Sequence, residues 1–144
     1  MNEGIIQIYY GEGHGKSTAA IGNAIRYASE GKSVIIIQFL KGKNENELAF
    51  LNRLEPEIKI FRFAKSDESF EELSEQEQQE EAMNLRNGFN YGKKVVTTAA
   101  CDMLILDEVL GVIDEKVVTP QEMQELFENK PDDMTLICTG RVLE

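Results

Sequence analysis

An α/β fold, with a mostly parallel sheet flanked by helices, is predicted by three features of the sequence. Short apolar runs alternate with segments of helical periodicity. The inner runs are apolar almost without interruption, and the first run ends in a glycine-rich turn that opens a helix. Uninterrupted apolar strands are those covered on both faces, and strand–helix–strand units close by right-handed crossovers onto a parallel sheet.

Ile5-Ile6-Gln7-Ile8-Tyr9-Tyr10 is β-branched and aromatic and stops at a glycine cluster, which predicts a buried strand. Residues 17–30 place Ala, Ile and Tyr at helical spacing, and Gly31 supplies the stop. Val34-Ile35-Ile36-Ile37-Gln38-Phe39-Leu40 is a second strand, ended by polar Lys41-Gly42-Lys43-Asn44. A short helix is expected over 45–54, closed by Pro56, and Ile58-Lys59-Ile60-Phe61-Arg62-Phe63 alternates as a third strand. Residues 66–81 are dense in Asp, Glu and Gln and read as a mobile acidic loop leading into a solvated helix, with a metal-binding cluster as the alternative. A helix continues to about residue 99, weakened by Gly88 and Gly92. Met103-Leu104-Ile105-Leu106 is an apolar strand that runs straight into Asp107-Glu108. Thr119-Pro120-Gln121-Glu122 has the N-cap, first-turn proline and acidic first turn of a helix reaching about residue 129, where Lys130-Pro131 breaks it. Met134-Thr135-Leu136-Ile137-Cys138 is the last strand, followed by Thr139-Gly140-Arg141.

With 42% apolar and 28% charged residues, 1–144 is expected to form a single soluble domain. No apolar run reaches the roughly 18–20 residues of a membrane span. Met1-Asn2-Glu3-Gly4 lacks the basic stretch and apolar core of a signal peptide, so the cytoplasm is predicted. Cys101 and Cys138 stand singly, without Cys or His at ligand spacing, and are expected to be reduced, buried thiols. A formal net charge of −11 predicts no nucleic-acid partner, because phosphate backbones select basic surfaces.

The chemistry concentrates at Gly11-Glu12-Gly13-His14-Gly15-Lys16-Ser17-Thr18, between a strand and a helix. Glycines let successive backbone N–H groups turn toward an anion, and the helix start adds unpaired N–H groups and its positive dipole end. Lys16 reaches phosphate oxygens as a mobile point charge, and Ser17 can place its hydroxyl on Mg²⁺. The loop is therefore expected to hold the triphosphate of ATP. The strict Walker spacing wants glycine where Tyr10 stands; Gly11 lies one position closer, so a tighter loop is expected. His14 is either a solvent-facing loop residue or a phosphate contact. Asp107 and Glu108, delivered by an apolar strand, match the second carboxylate site of P-loop proteins, which holds Mg²⁺ directly or through water. Arg141 ends another strand, where it can meet a phosphate or an acidic partner. These features predict a three-layer P-loop NTPase fold of the RecA-like kind.

The same residues resemble one family. Gly11-x-Gly13-x-Gly15-Lys16-Ser17-Thr18-Ala19-Ala20, Gln38-Phe39-Leu40-Lys41-Gly42, Leu104-Ile105-Leu106-Asp107-Glu108 and Thr139-Gly140-Arg141 stand in the order and spacing of ATP:corrinoid adenosyltransferases. These P-loop proteins act on cob(I)alamin and cob(I)yrinic acid a,c-diamide. The resemblance covers nearly the whole chain, the shortened loop is itself a family feature, and Arg26 matches a basic position in the first helix. It implies transfer of the 5′-deoxyadenosyl group from MgATP to Co(I) of a corrinoid, with triphosphate leaving. Lys16 and Glu108 would be catalytic, the residues from Gly11 to Thr18 with Arg26 and Arg141 would bind ATP, and Ser17, Asp107 and Glu108 would hold Mg²⁺. A homodimer is also implied. The chain departs from the family in carrying His14 where lysine is usual and in lacking tryptophan. It begins almost at the first strand and ends three residues after Thr139-Gly140-Arg141, where family members extend further, so a shortened C-terminal end is expected. Competing functions are a P-loop nucleotide hydrolase, a small-molecule kinase and a non-catalytic ATP-binding module.

Overall fold

The computed structural model describes residues 5–10, 15–39, 57–62, 73–114 and 116–140. Along the chain lie β1 (Ile6–Tyr10), α1 (Gly15–Ser29), β2 (Val34–Gln38), β3 (Ile58–Arg62), α2 (Glu75–Thr98), β4 (Met103–Asp107), α3 (Val109–Asp114), α4 (Pro120–Asn129) and β5 (Thr135–Gly140). The helix expected over 45–54 and the acidic stretch 66–72 fall outside the described residues.

The strands form one five-stranded sheet in the order β1-β5-β4-β2-β3. All its pairings are parallel, so the expected mostly parallel sheet is entirely parallel among the described residues. The alternation hidden inside the continuous apolar runs sorts residues to two cores. Val34, Ile36, Met103, Ile105 and Ile137 pack with Ala20 and Ala24 of α1 on one face. Ile35, Ile37, Leu104, Leu106, Leu136 and Cys138 pack with α2, α3 and α4 on the other. The result is the predicted three layers.

Residues 75–98 form a capped helix, so the acidic stretch becomes helical by Glu75. The Ser74 hydroxyl accepts from the Glu77 N–H, and the Glu77 side chain returns to the Ser74 N–H, closing a capping box. Glu75, Gln76, Glu77, Gln79 and Glu80 are exposed, while Glu81 is buried and begins the stripe Leu85, Gly88, Phe89, Gly92, Val95, Val96. The two glycines expected to weaken the helix lie on this inner face. At Gly92 an added Cβ would sit 3.4 Å from Leu106 Cδ2 and 3.5 Å from Ile37 Cδ1, so the helix backbone rests close on the sheet.

α4 opens with the N-cap foreseen at Thr119 and with Pro120 in its first turn, and Glu122 closes a capping box with Thr119. Arg86 of α2 forms an ion pair with Glu122 and donates to the Val117 carbonyl at 3.4 Å, joining α2 to the start of α4. Gly31, at φ 82°, follows α1 and donates its N–H to the Ala28 carbonyl at 3.0 Å. Among the described residues no helix is long and apolar enough to cross a membrane.

Candidate active site

In a parallel sheet every strand ends on the same edge, and ligands collect there. β1 ends at Tyr10, paired with Gly140, and α1 begins at Gly15. Residues 11–14, including Gly11, Glu12, Gly13 and His14, connect them and lie outside the described residues. The backbone of Gly15, Lys16, Ser17 and Thr18 forms the first turn of α1, whose leading N–H groups have no helical partner. That turn contains no acidic residue, unlike the first turns of α2 and α4. A lysine there is unfavourable for an isolated helix, because it faces the positive end of the dipole. A bound polyanion reverses that sign and makes Lys16 an asset.

The neighbouring strand ends carry a polar row on the α1 face. Tyr9 is in register with Thr139 and Gln38 with Asp107, while β5 lies between β1 and β4. Two strand spacings of about 4.8 Å put the end of β4 about 10 Å from that of β1, a gap fit for a polyphosphate. The Thr139 hydroxyl donates to Oδ1 of Asp107 at 2.8 Å and accepts the backbone N–H of Glu108 at 2.8 Å. Thr139 is wholly buried and Gln38 is nearly so, whereas Asp107 and Glu108 are half-buried. The Asp107 carbonyl accepts from the Phe39 N–H at 3.0 Å, which fixes its backbone on the β2 side as well.

Glu108 turns the chain from β4 into α3 with φ at 65°, in the left-handed region. For a residue with a Cβ this costs on the order of 1 kcal/mol, and such strain collects at functional sites. The geometry thus brings Asp107 and Glu108 to the sheet edge at which β1 ends.

Other predicted site residues fall elsewhere. Arg26 occupies the last turn of α1, 11 residues beyond Gly15, hence about 16 Å along the helix axis. It is exposed, donates to Oδ1 of Asn23 at 3.0 Å and lies 5.9 Å from the Tyr27 ring centre, so it stands away from the first turn of α1. Arg141 lies outside the described residues, although Gly140 before it is paired with Tyr10 beside the turn. Cys101 and Cys138 are free and buried, and burial pushes both thiols up to about 12, which leaves them unreactive. Among the described residues no group of three or more His, Cys, Asp and Glu side chains converges on a metal position.

Two members of the polar row escaped the sequence-based site. Thr139 stood in a recognised motif without a role, because its partner is 32 residues away. Gln38 had a visible signal, a single amide inside an otherwise apolar strand run.

The fold is shared with a KaiC-like protein, PH0186 from Pyrococcus horikoshii OT3, at a TM-score of 0.57 and 18% identity, over 96% of this chain and 63% of that one. That likeness supports the RecA-like P-loop fold. The corrinoid adenosyltransferase of Escherichia coli strain K12 is 30% identical over 138 residues, which span 96% of this chain and 68% of that protein. The corrinoid adenosyltransferase CobA of Salmonella typhimurium is also 30% identical over the same shares. Residues 2–144 match the model of the ATP:corrinoid adenosyltransferase family BtuR/CobO/CobP. The chain therefore belongs to the ATP:corrinoid adenosyltransferase family.

Proposed function

We propose that the protein transfers the 5′-deoxyadenosyl group of ATP to the Co(I) centre of a corrinoid. The observation that carries this beyond family membership is the common edge shared by the α1 start and the Thr139-held Asp107. The first turn of α1 contains no acidic residue, and the ends of β1 and β4 lie about two strand spacings apart.

In this reaction the cobalt electron pair forms the Co–C5′ bond while the C5′–O bond breaks, both of its electrons leaving with triphosphate. The protein supplies no nucleophile, because the corrinoid carries that chemistry. Its task is to hold ATP with C5′ presented to cobalt and to stabilise charge on the departing triphosphate. Lys16 and the N–H groups of the β1–α1 turn act on that charge. Ser17 and Thr18 follow them into α1, and Gly11, Glu12, Gly13, His14 and Gly15 complete the phosphate cradle, with Arg141 beside Gly140.

Asp107 and Glu108 offer hard oxygen donors at a strand end, and one Asp107 oxygen is already oriented by Thr139, a set that suits Mg²⁺. Ser17, Asp107 and Glu108 would hold the ion, which supplies charge neutralisation on the triphosphate when bound. Arg26 is left outside the cradle. A homodimer in the cytoplasm accompanies this function; β1 is an edge strand among the described residues, and Ile5 and Ile6 at its start are exposed.

The test is anaerobic mixing with MgATP and chemically reduced cob(I)alamin. Light-sensitive adenosylcobalamin is expected with one triphosphate released per corrinoid. Release of ADP and phosphate instead would replace this function with phosphoryl chemistry, and ATP binding without any product would leave only a binding module.

A further inference from the structure

The hydroxyl of Thr139 has one proton and two polar neighbours, and their chemistry fixes its orientation. The Glu108 backbone N–H, 2.8 Å away, can only donate. The hydroxyl therefore accepts there, and its own proton is directed to Oδ1 of Asp107, also at 2.8 Å. Thr139 is fully buried, so water does not stand ready to replace either bond. One oxygen atom thus holds the side chain of Asp107 and the backbone of Glu108, and that backbone is left-handed at φ 65°.

We infer that Thr139 is a positioning residue for the Asp107–Glu108 pair, setting both for the metal-bound triphosphate of ATP. The inference rests on the nucleotide half of the proposed function and not on the corrinoid half. Packing of the Thr139 methyl group is not the source of the effect; the hydroxyl is. Thr139→Val keeps the branched shape and removes both bonds, whereas Thr139→Ser keeps the hydroxyl and drops the methyl.

The experiment measures ATP affinity calorimetrically, with Mg²⁺ and with a chelator, for the wild-type chain and both variants, alongside thermal unfolding. Thr139→Val is expected to lose about tenfold of the Mg²⁺-dependent gain in affinity, the worth of a hydrogen bond to a charged group, while ATP affinity in chelator stays unchanged. Thr139→Ser is expected within about threefold of wild type, because its donor and acceptor remain. A Thr139→Val chain with the full Mg²⁺-dependent gain overturns the assignment. So does an equal loss in both variants with and without Mg²⁺, which marks a packing role, and so does a wild-type chain without any such gain. Mg²⁺-dependent ATP binding by wild type without adenosylation would remove the corrinoid reaction and leave the Thr139 result standing on its own.

Discussion

Gly140 lies so close against Leu110 that a Cβ added to it would meet Leu110 Cβ first, with Cγ at 2.8 Å and Cδ1 at 2.9 Å. This contact seats α3 on the end of β5, beside the Thr139–Asp107 bond. The missing side chain is a packing requirement, since Gly140 is not among the glycines of positive φ.

Gly140→Ala is accordingly expected to destabilise the fold by about 1–3 kcal/mol, the usual range for overpacking. Urea denaturation should show a lower midpoint at an unchanged slope. Leu110→Ala should not restore it, because the nearest clashing atom is the Cβ that alanine keeps. Full recovery in that double variant would mean that Leu110 Cγ and Cδ1, and not its Cβ, set the limit.

Lys16→Ala tests the phosphate turn. Loss of one charge-assisted contact should weaken ATP binding by about 10- to 100-fold. The unfolding transition should stay in place, because α1 is anchored by buried Ala20 and Ala24. Unaltered ATP affinity would take away the basis of the nucleotide site.

Glu108→Gly separates strain from function. Glycine adopts φ 65° without steric cost, so stability should be unchanged or higher by up to about 1 kcal/mol. Adenosyl transfer should fall at least about tenfold if the carboxylate serves the reaction. A thermal midpoint well below wild type would show that the Glu108 side chain supports the fold instead.

Acid sensitivity is expected at the α2–α4 contact. The Arg86 guanidinium, with the Thr119 cap, lowers the Glu122 carboxyl from 4.5 to about 2. The folded state therefore releases this proton more readily than the unfolded chain, and the resulting stability is fully present above about pH 4.5. It is lost as pH falls from there through about 2. The Arg86 side chain is 38% exposed, so solvent screening makes the gain smaller than the shift alone implies. The stability difference between wild type and Glu122→Gln, from urea titrations across that range, should shrink toward low pH. A difference independent of pH would mean that the Glu122 charge contributes nothing across this range.

Much of this molecule was legible in one dimension. The Thr119 N-cap, the apolar run ending at Asp107 and the glycine-rich turn before Lys16 are local signals, each set by neighbours within a few residues. α3 was not legible: Val109-Leu110-Gly111-Val112-Ile113-Asp114 has β-branched residues and an internal glycine, and isolated propensity disfavours a helix there. It is helical because Val109, Leu110, Val112 and Ile113 are buried against the sheet core. Gly88 and Gly92 lie on the buried face of α2, a placement that propensity along the chain does not describe.

By itself the sequence determined the α/β class and the order of its strands along the chain. Only the tertiary structure decided that β5 comes between β1 and β4, and so that Thr139 meets Asp107. Spacing along the chain is fixed by covalent bonds and local propensity. Adjacency across a parallel sheet is chosen by burial of both faces, and that choice couples residues 32 positions apart.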